Sequence, residues 1–232
     1  MNQDLFIRTS GVLGAAAVNK LNSSKVAVFG LGGVGSYVAE ALARTGVGSF
    51  VLIDKDVIEA SNINRQLIAT SRNIGVLKTE AMKQRILDIN PEAKVEVNPV
   101  FYLENSGGKL IEGCDFVVDA IDNVTAKLEL IKECKEFGIP FICAMGAANR
   151  TDPTSFKVAD ISKTSVCPLC RVMRRELRNA GVKDVKVVYS TELPVPSSNG
   201  ELGSLAFATG AMGMIIAKEV IFALLGGHYD KD

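Results

Sequence analysis

Lys25-Val-Ala-Val-Phe-Gly-Leu-Gly-Gly-Val-Gly-Ser36 joins a short apolar run to a glycine turn. Residues 26–29 read as a strand buried on both faces of a parallel sheet. The run leads into Gly30-x-Gly32-x-x-Gly35, and residues 36–45 read as a helix with Val38, Ala39 and Leu42 on its inner side. In a strand–turn–helix context the glycines have separate tasks. Gly30 permits the tight turn, Gly32 lets the backbone approach a phosphate, and Gly35 lets the helix pack closely on the strand. The helix N-terminus offers unpaired N–H groups to an anion. The motif therefore predicts a site for nucleotide phosphates and leaves the nucleotide open.

Upstream, residues 1–24 read as a helical arm with an apolar stripe of Val12, Leu13, Ala16, Ala17 and Leu21, and with Arg8 near its start. Downstream, residues 49–54 form a second apolar run ending in an acid. Asp54 stands about 20 residues past the turn, where a carboxylate binds ribose hydroxyls. A polar loop over 55–66 precedes a helix over 78–89, closed by Asn90-Pro91. Strands are expected over 94–100, 116–119 and 141–144, with helices over 106–112 and 124–137, the latter turning Leu128, Ile131 and Cys134 inward. This alternation predicts an α/β fold, a Rossmann-like doubly wound and mostly parallel sheet with helices on both faces.

After Gly146 the rhythm changes. A strand is expected over 155–161, a helix over 167–179, a strand over 185–189 and a final helix over 209–225. Residues 192–204, rich in Pro, Ser and Gly, read as a mobile loop. The expectation is one domain over 1–232. It comprises the arm (1–24), a nucleotide-binding core (25–150) and an additional C-terminal strand and helix section for substrate and dimer contacts (151–232).

Composition narrows the class. The 232 residues are 47% hydrophobic and 22% charged, as in a soluble globular protein with a sizeable core. Lys plus Arg and Asp plus Glu both total 26, so there is no global pull toward nucleic acid, only room for local patches. The five cysteines are odd in number and no signal peptide pattern opens the chain, so reduced thiols in the cytoplasm are expected. Residues 205–225 are strongly apolar but contain Lys218, Glu219 and two glycines, which favours a core helix over a membrane span.

A glycine fingerprint first suggests a nicotinamide-dependent dehydrogenase. The sole histidine, His228, lies four residues from the end and is poorly placed as a general acid, and no second half would hold the nicotinamide. The loop after the second strand instead suits a triphosphate. Asn62, Arg65 and Lys78 fall on the carboxyl side of the sheet, where ligands bind in such folds. Side-chain cations there would take up charge developing on a leaving phosphate. Asp122, at the end of the fourth strand, is placed to hold Mg²⁺. Taken singly, each has a structural alternative: Arg65 and Lys78 as solvated charges, Asp122 as a helix cap.

The set Gly30-x-Gly32-Gly33-x-Gly35, Asp54-x-Asp56, Ser61-Asn62-x-x-Arg65-Gln66, Lys78 and Asp119-x-x-Asp122 resembles the ThiF-like adenylating superfamily over nearly the whole chain. That superfamily includes the ubiquitin-activating enzymes and the activators of bacterial sulfur carriers. The resemblance implies that ATP activates a carboxylate. It assigns Asp54 to the ribose, Asn62, Arg65 and Lys78 to the phosphates, and Asp122 to magnesium. It also places Asp56 and Gln66 in the nucleotide site. Arg8 matches an arginine that relatives insert into a neighbouring subunit's site, which implies a homodimer.

Two branches compete. Sulfur-carrier activators usually bind zinc through two Cys-x-x-Cys pairs, and this chain has one, Cys167-Pro-Leu-Cys170, with no later cysteine to complete a tetrahedral set. The run Asp160-Ile-Ser-Lys-Thr-Ser-Val-Cys-Pro-Leu-Cys-Arg-Val-Met-Arg-Arg-Glu-Leu177, Ala144-Met-Gly-Ala-Ala148 with Asp152-Pro-Thr154, and Val187-Val-Tyr-Ser190 are more similar to the tRNA threonylcarbamoyladenosine dehydratase branch. Cys170 departs from it, standing where a small non-thiol residue is expected. That branch implies a tRNA substrate whose threonyl carboxylate is activated by ATP and captured by its own carbamoyl group, with net loss of water. Activation of a ubiquitin-like sulfur carrier's C-terminus is the alternative, and docking of a sulfur-transfer partner stays open. Arg171, Arg174, Arg175 and Arg178 fall at i, i+3, i+4 and i+7, one helix face, and with Lys163, Lys183 and Lys186 suit a tRNA backbone. A solvated face shared with Glu176 is the alternative.

Overall fold

The computed structural model describes residues 3–102, 107–197 and 200–227. A short 3₁₀ turn precedes α1 (Ile7–Leu13) and α2 (Ala15–Ser23). Next come β1 (Lys25–Phe29), α3 (Gly35–Thr45), β2 (Ser49–Ile53), α4 (Lys78–Ile89) and β3 (Lys94–Asn98). They are followed by α5 (Gly107–Ile111), β4 (Phe116–Asp119), α6 (Val124–Glu136) and β5 (Phe141–Ala144). The chain closes with β6 (Phe156–Asp160), α7 (Pro168–Asn179), β7 (Lys186–Ser190) and α8 (Ala206–Leu224). His228 and the expected helix start at Ser106 lie outside the described residues.

The strands form one seven-stranded sheet in the order β3-β2-β1-β4-β5-β7-β6, parallel except for the antiparallel β6–β7 pair. The expected C-terminal addition is thus continuous with the sheet: β7 pairs with β5. The central strands alternate between two cores. Val26 and Val28 of β1 face α3 and α8, while Ala27 and Phe29 face α5 and α6. That is why β1 reads as an unbroken apolar run rather than an alternating one. Phe29 is level with Ile53 on one side and with Asp119 on the other, so three strands finish together at the carboxyl edge.

One reading needs correction. The arm is not one amphipathic helix. Gly14, at φ 85°, breaks it, and the stripe changes register at the break. Val12 is 68% exposed, and the buried anchors are Phe6, Val18 and Leu21, with Phe6 and Val18 against Gly46. The reading of the final helix holds: α8 is long and apolar enough to cross a membrane, yet it is a core helix, as expected. It packs on α3 and the sheet, burying Ala208, Met212, Ile216 and Val220, with Gly213 against Tyr37 and the Val34 carbonyl.

Candidate nucleotide site

Strand order reverses between β1 and β4, and in open α/β sheets the crevice at such a switch point holds the ligand. Backbone crowding there explains two of the glycines. Gly30, at φ 85°, donates its N–H to the Ile53 carbonyl at 2.8 Å, and a Cβ on it would lie 2.6 Å from the Ala120 oxygen. A Cβ on Gly35 would lie 1.8 Å from the Gly30 carbonyl oxygen. Gly32 and Gly33 line a cavity of about 610 Å³ that also takes in Asp54, Asp56, Arg65, Gln66, Lys78 and Asp122.

Asp54 braces this turn. Its Oδ2 accepts the Leu31 N–H at 2.7 Å and its Oδ1 accepts the Asp56 N–H at 2.9 Å. Lys78, at the start of α4, is buried, with its side chain only 8% exposed, so the solvated alternative fails. Its Nζ donates to Asp56 Oδ2 at 2.8 Å and lies 4.0 Å from Asp54 Oδ2. Arg65 is half-buried and donates from Nη1 to the Ser61 carbonyl at 2.8 Å and to Asn64 Oδ1 at 2.9 Å. Both acceptors are neutral, so the guanidinium charge is available to an anion. Asn62 does not line the cavity. It is buried, accepts the Glu59 N–H at 3.1 Å, and holds the turn that carries Arg65. Gln66 is buried in the cavity wall with its Oε1 lacking a partner among the described residues.

Asp122 is exposed at the cavity, and Asn123 rather than Asp122 caps α6, accepting the Ala126 N–H at 3.0 Å. Beneath it lies a pair that sequence reasoning missed. Lys127 Nζ donates to Asp119 Oδ1 and to the Ile121 carbonyl, both at 2.9 Å, with both side chains buried. The pair clamps the segment 119–122 that presents Asp122. A lysine inside a charged helical stretch carries no sequence signal of burial, since its partner lies across a strand-to-helix turn.

The far wall comes from the loop after β5 and from the start of α7: Ala144 to Arg150, then Cys167, Pro168 and Leu169. Arg150, also missed, is 2% exposed. Asn149, at φ 55°, clasps the 192–204 loop at two points. Its Oδ1 accepts the Gly203 N–H at 2.6 Å, and its carbonyl accepts the Val195 N–H at 2.9 Å. Asn64 adds a third tie, donating to the Ser204 carbonyl at 2.9 Å. Cys167 and Cys170 are buried at the start of α7. A hydrogen bond from Cys170 pulls the Cys167 thiol down to about 5, with backbone N–H groups of Cys170, Gly146 and Leu169 assisting against burial. The Cys170 thiol is pushed up in turn by that hydrogen bond.

The four arginines of α7 divide. Met173 and Leu177 face the core, and Arg171, Arg175 and Arg178 are exposed, with Arg175 paired to Glu176 at 2.7 Å. Arg174 is half-buried and donates to the Thr164 carbonyl at 3.0 Å and to its hydroxyl. Arg8 is exposed on α1 and does not line the cavity of its own chain.

Comparison with known proteins agrees with this geometry. Residues 6–231 match the ThiF family model. The chain is 41% identical over 245 residues to the tRNA threonylcarbamoyladenosine dehydratase of Bacillus subtilis, covering 95% of this chain and 94% of that protein. It superposes on the E. coli tRNA N6-threonylcarbamoyladenosine dehydratase TcdA in complex with AMP with a TM-score of 0.92, at 34% identity, covering 96% of this chain and 94% of the other. The TcdA complex with ATP gives 0.90 at the same identity and coverage. With a cavity at the switch point, a braced glycine turn and a family match over nearly its whole length, the chain belongs to the ThiF family.

Proposed function

We propose that this protein is an ATP-dependent tRNA threonylcarbamoyladenosine dehydratase. ATP occupies the glycine turn, with its ribose toward Asp54 and its phosphates toward Arg65, Lys78 and the N–H groups opening α3. A carboxylate oxygen of the threonyl group attacks the α-phosphorus of ATP, and pyrophosphate leaves. Arg65, Lys78 and Arg8 from a second subunit stabilise the charge that develops on the phosphate oxygens. The resulting acyl–phosphate anhydride is a good electrophile. The carbamoyl group, already tethered on the same nucleoside, attacks its carbonyl carbon and expels the phosphate ester, so the nucleoside loses one water. No enzyme nucleophile is needed.

Mg²⁺ is usually held by one or two carboxylates plus substrate phosphates, and Asp122 is an exposed acid lining the cavity. Asp122 would hold it, and the ion would neutralise phosphate charge. The reading also includes a homodimer, through Arg8, and a cytoplasmic setting. A docked sulfur-transfer partner is not needed by this route.

The observation that carries the tRNA assignment is the position of α7. Its first residues, Cys167 to Leu169, form the cavity wall, and its exposed arginines lead away from that wall. An RNA backbone along α7 would bring its acyl group to the cavity mouth. Replacing Arg171, Arg174, Arg175 and Arg178 by alanine should weaken tRNA binding and flatten its salt dependence while ATP affinity stays unchanged. Equal tRNA affinity in that variant refutes the stripe. Asp122→Ala should abolish ATP-dependent turnover, and a fully active variant refutes the metal assignment.

A further inference from the structure

We propose that Arg150 is the residue that receives the substrate's carboxylate, an assignment that rests on the dehydratase reading above. Arg150 is 2% exposed, among the largest fully buried side chains in the protein, and it lines the nucleotide cavity. Its Nε and Nη1 are buried without a hydrogen-bond partner among the described residues. The acid that feels its charge is Glu192, whose Oε1 and Oε2 are both engaged by the backbone N–H groups of Thr151 and Asp152 and by the Thr151 hydroxyl. A buried guanidinium whose N–H groups lack acceptors is costly, because they have lost water and gained no hydrogen bond in exchange. An oxyanion in the cavity supplies what is missing.

Its position along the sheet says which oxyanion. Asp54 stands at the end of β2, the glycine turn at the end of β1, Asp122 after β4 and Arg150 after β5. Nucleoside, phosphates and metal acid thus take the β2-to-β4 side, where Arg65 and Lys78 also lie. Arg150 is on the opposite side, in the wall that includes the start of α7, from which the acyl group would arrive. The small side chains between, Ala144, Ala147 and Ala148, leave the floor of that half open to a ligand. The neighbouring clasp at Asn149 fixes the backbone just before Arg150. A carboxylate held there by one oxygen leaves the other to attack phosphorus.

The test compares the intact protein with Arg150→Met and Arg150→Lys. Three quantities are measured: ATP affinity, thermal unfolding of the unliganded protein, and binding of N-carbamoyl-L-threonine against its neutral amide in the presence of AMP. The proposal expects the native protein to bind the acid at least tenfold more tightly than the amide, and Arg150→Met to lose that preference. It expects Arg150→Lys to keep part of it and ATP affinity to stay within about twofold in both. Arg150→Met should also unfold at a temperature equal to or above the native one, since an unpaired buried charge has been removed, whereas a structural arginine would lower it. Loss of ATP affinity instead would assign Arg150 to the polyphosphate and overturn the proposal, as would an absent acid preference in the native protein or an undiminished one in Arg150→Met. Carboxylate-dependent binding without dehydration of modified tRNA would leave Arg150 as assigned and refute the dehydratase reading alone.

Discussion

Asp54 Oδ2 accepts the backbone N–H of Leu31 at 2.7 Å. The acid that ends β2 therefore holds the middle of the glycine turn that follows β1. One carboxylate fixes the glycine turn and lines the same cavity, where the proposed role is to accept the ribose hydroxyls. Asp54→Ala should lose both roles. A charge-assisted hydrogen bond is worth about 1.5–3 kcal/mol, so ATP binding by titration calorimetry should weaken roughly 10- to 100-fold. An unchanged affinity would show that the turn holds its shape without the brace.

Gly35 gives a steric prediction. A Cβ there would meet the Gly30 carbonyl at 1.8 Å, a backbone atom that cannot swing away. Gly35→Ala should separate α3 from β1, abolish nucleotide binding and lower the unfolding temperature. A stable variant that binds ATP would mean that the helix can start one residue later.

The buried Lys127–Asp119 pair predicts a large stability effect. Lys127→Met leaves the Asp119 carboxylate buried without its cation, and breaking such a pair costs about 3–5 kcal/mol. Chemical denaturation should report that loss. The Asp119→Asn, Lys127→Met double variant should recover part of it, because neither buried charge is then left alone. If the single variant unfolds like the native protein, the segment presenting Asp122 is held by other contacts.

Cys167 predicts a pH profile. Its thiol is pulled down to about 5 by the Cys170 hydrogen bond, so the thiolate forms as pH rises through that value and is complete at neutral pH. Alkylation at Cys167, followed by peptide mass spectrometry, should be nearly flat from about pH 6 to 8, where an ordinary thiol of pKa about 8.5 becomes steadily more reactive. Cys170→Ala removes the donor and should restore the rising profile. Because Cys167 lines the cavity, ATP should protect it. A native profile that climbs across this range contradicts the lowered Cys167 thiol.

Much of this site is legible in the sequence because its parts lie at fixed offsets from regular elements. Buried parallel strands announce themselves as apolar runs, so the glycine turn, Asp54 and Asp122 could be placed at strand ends. Lys78 was found as the residue opening a helix that Asn90-Pro91 closes. What escaped depends on contacts between distant segments. Arg150 lies in a loop with no periodicity, where nothing in the local pattern announces its burial. Lys127 resembles any helical lysine until Asp119 is seen beneath it. The loop at 192–204 carries the composition of a free segment, yet Asn149, more than forty residues earlier, clasps both of its arms. In the arm, a single glycine resets the register of the stripe, so the apolar residues that matter are Phe6 and Val18, not Val12 and Ala16.

The most direct measurement of the central claim is incubation of the protein with ATP, Mg²⁺ and tRNA carrying threonylcarbamoyladenosine, followed by nucleoside mass spectrometry. The modified nucleoside should lose the mass of one water, and only when ATP is present. An unchanged nucleoside, accompanied by ATP–pyrophosphate exchange with a carrier protein ending in Gly-Gly, would contradict that claim.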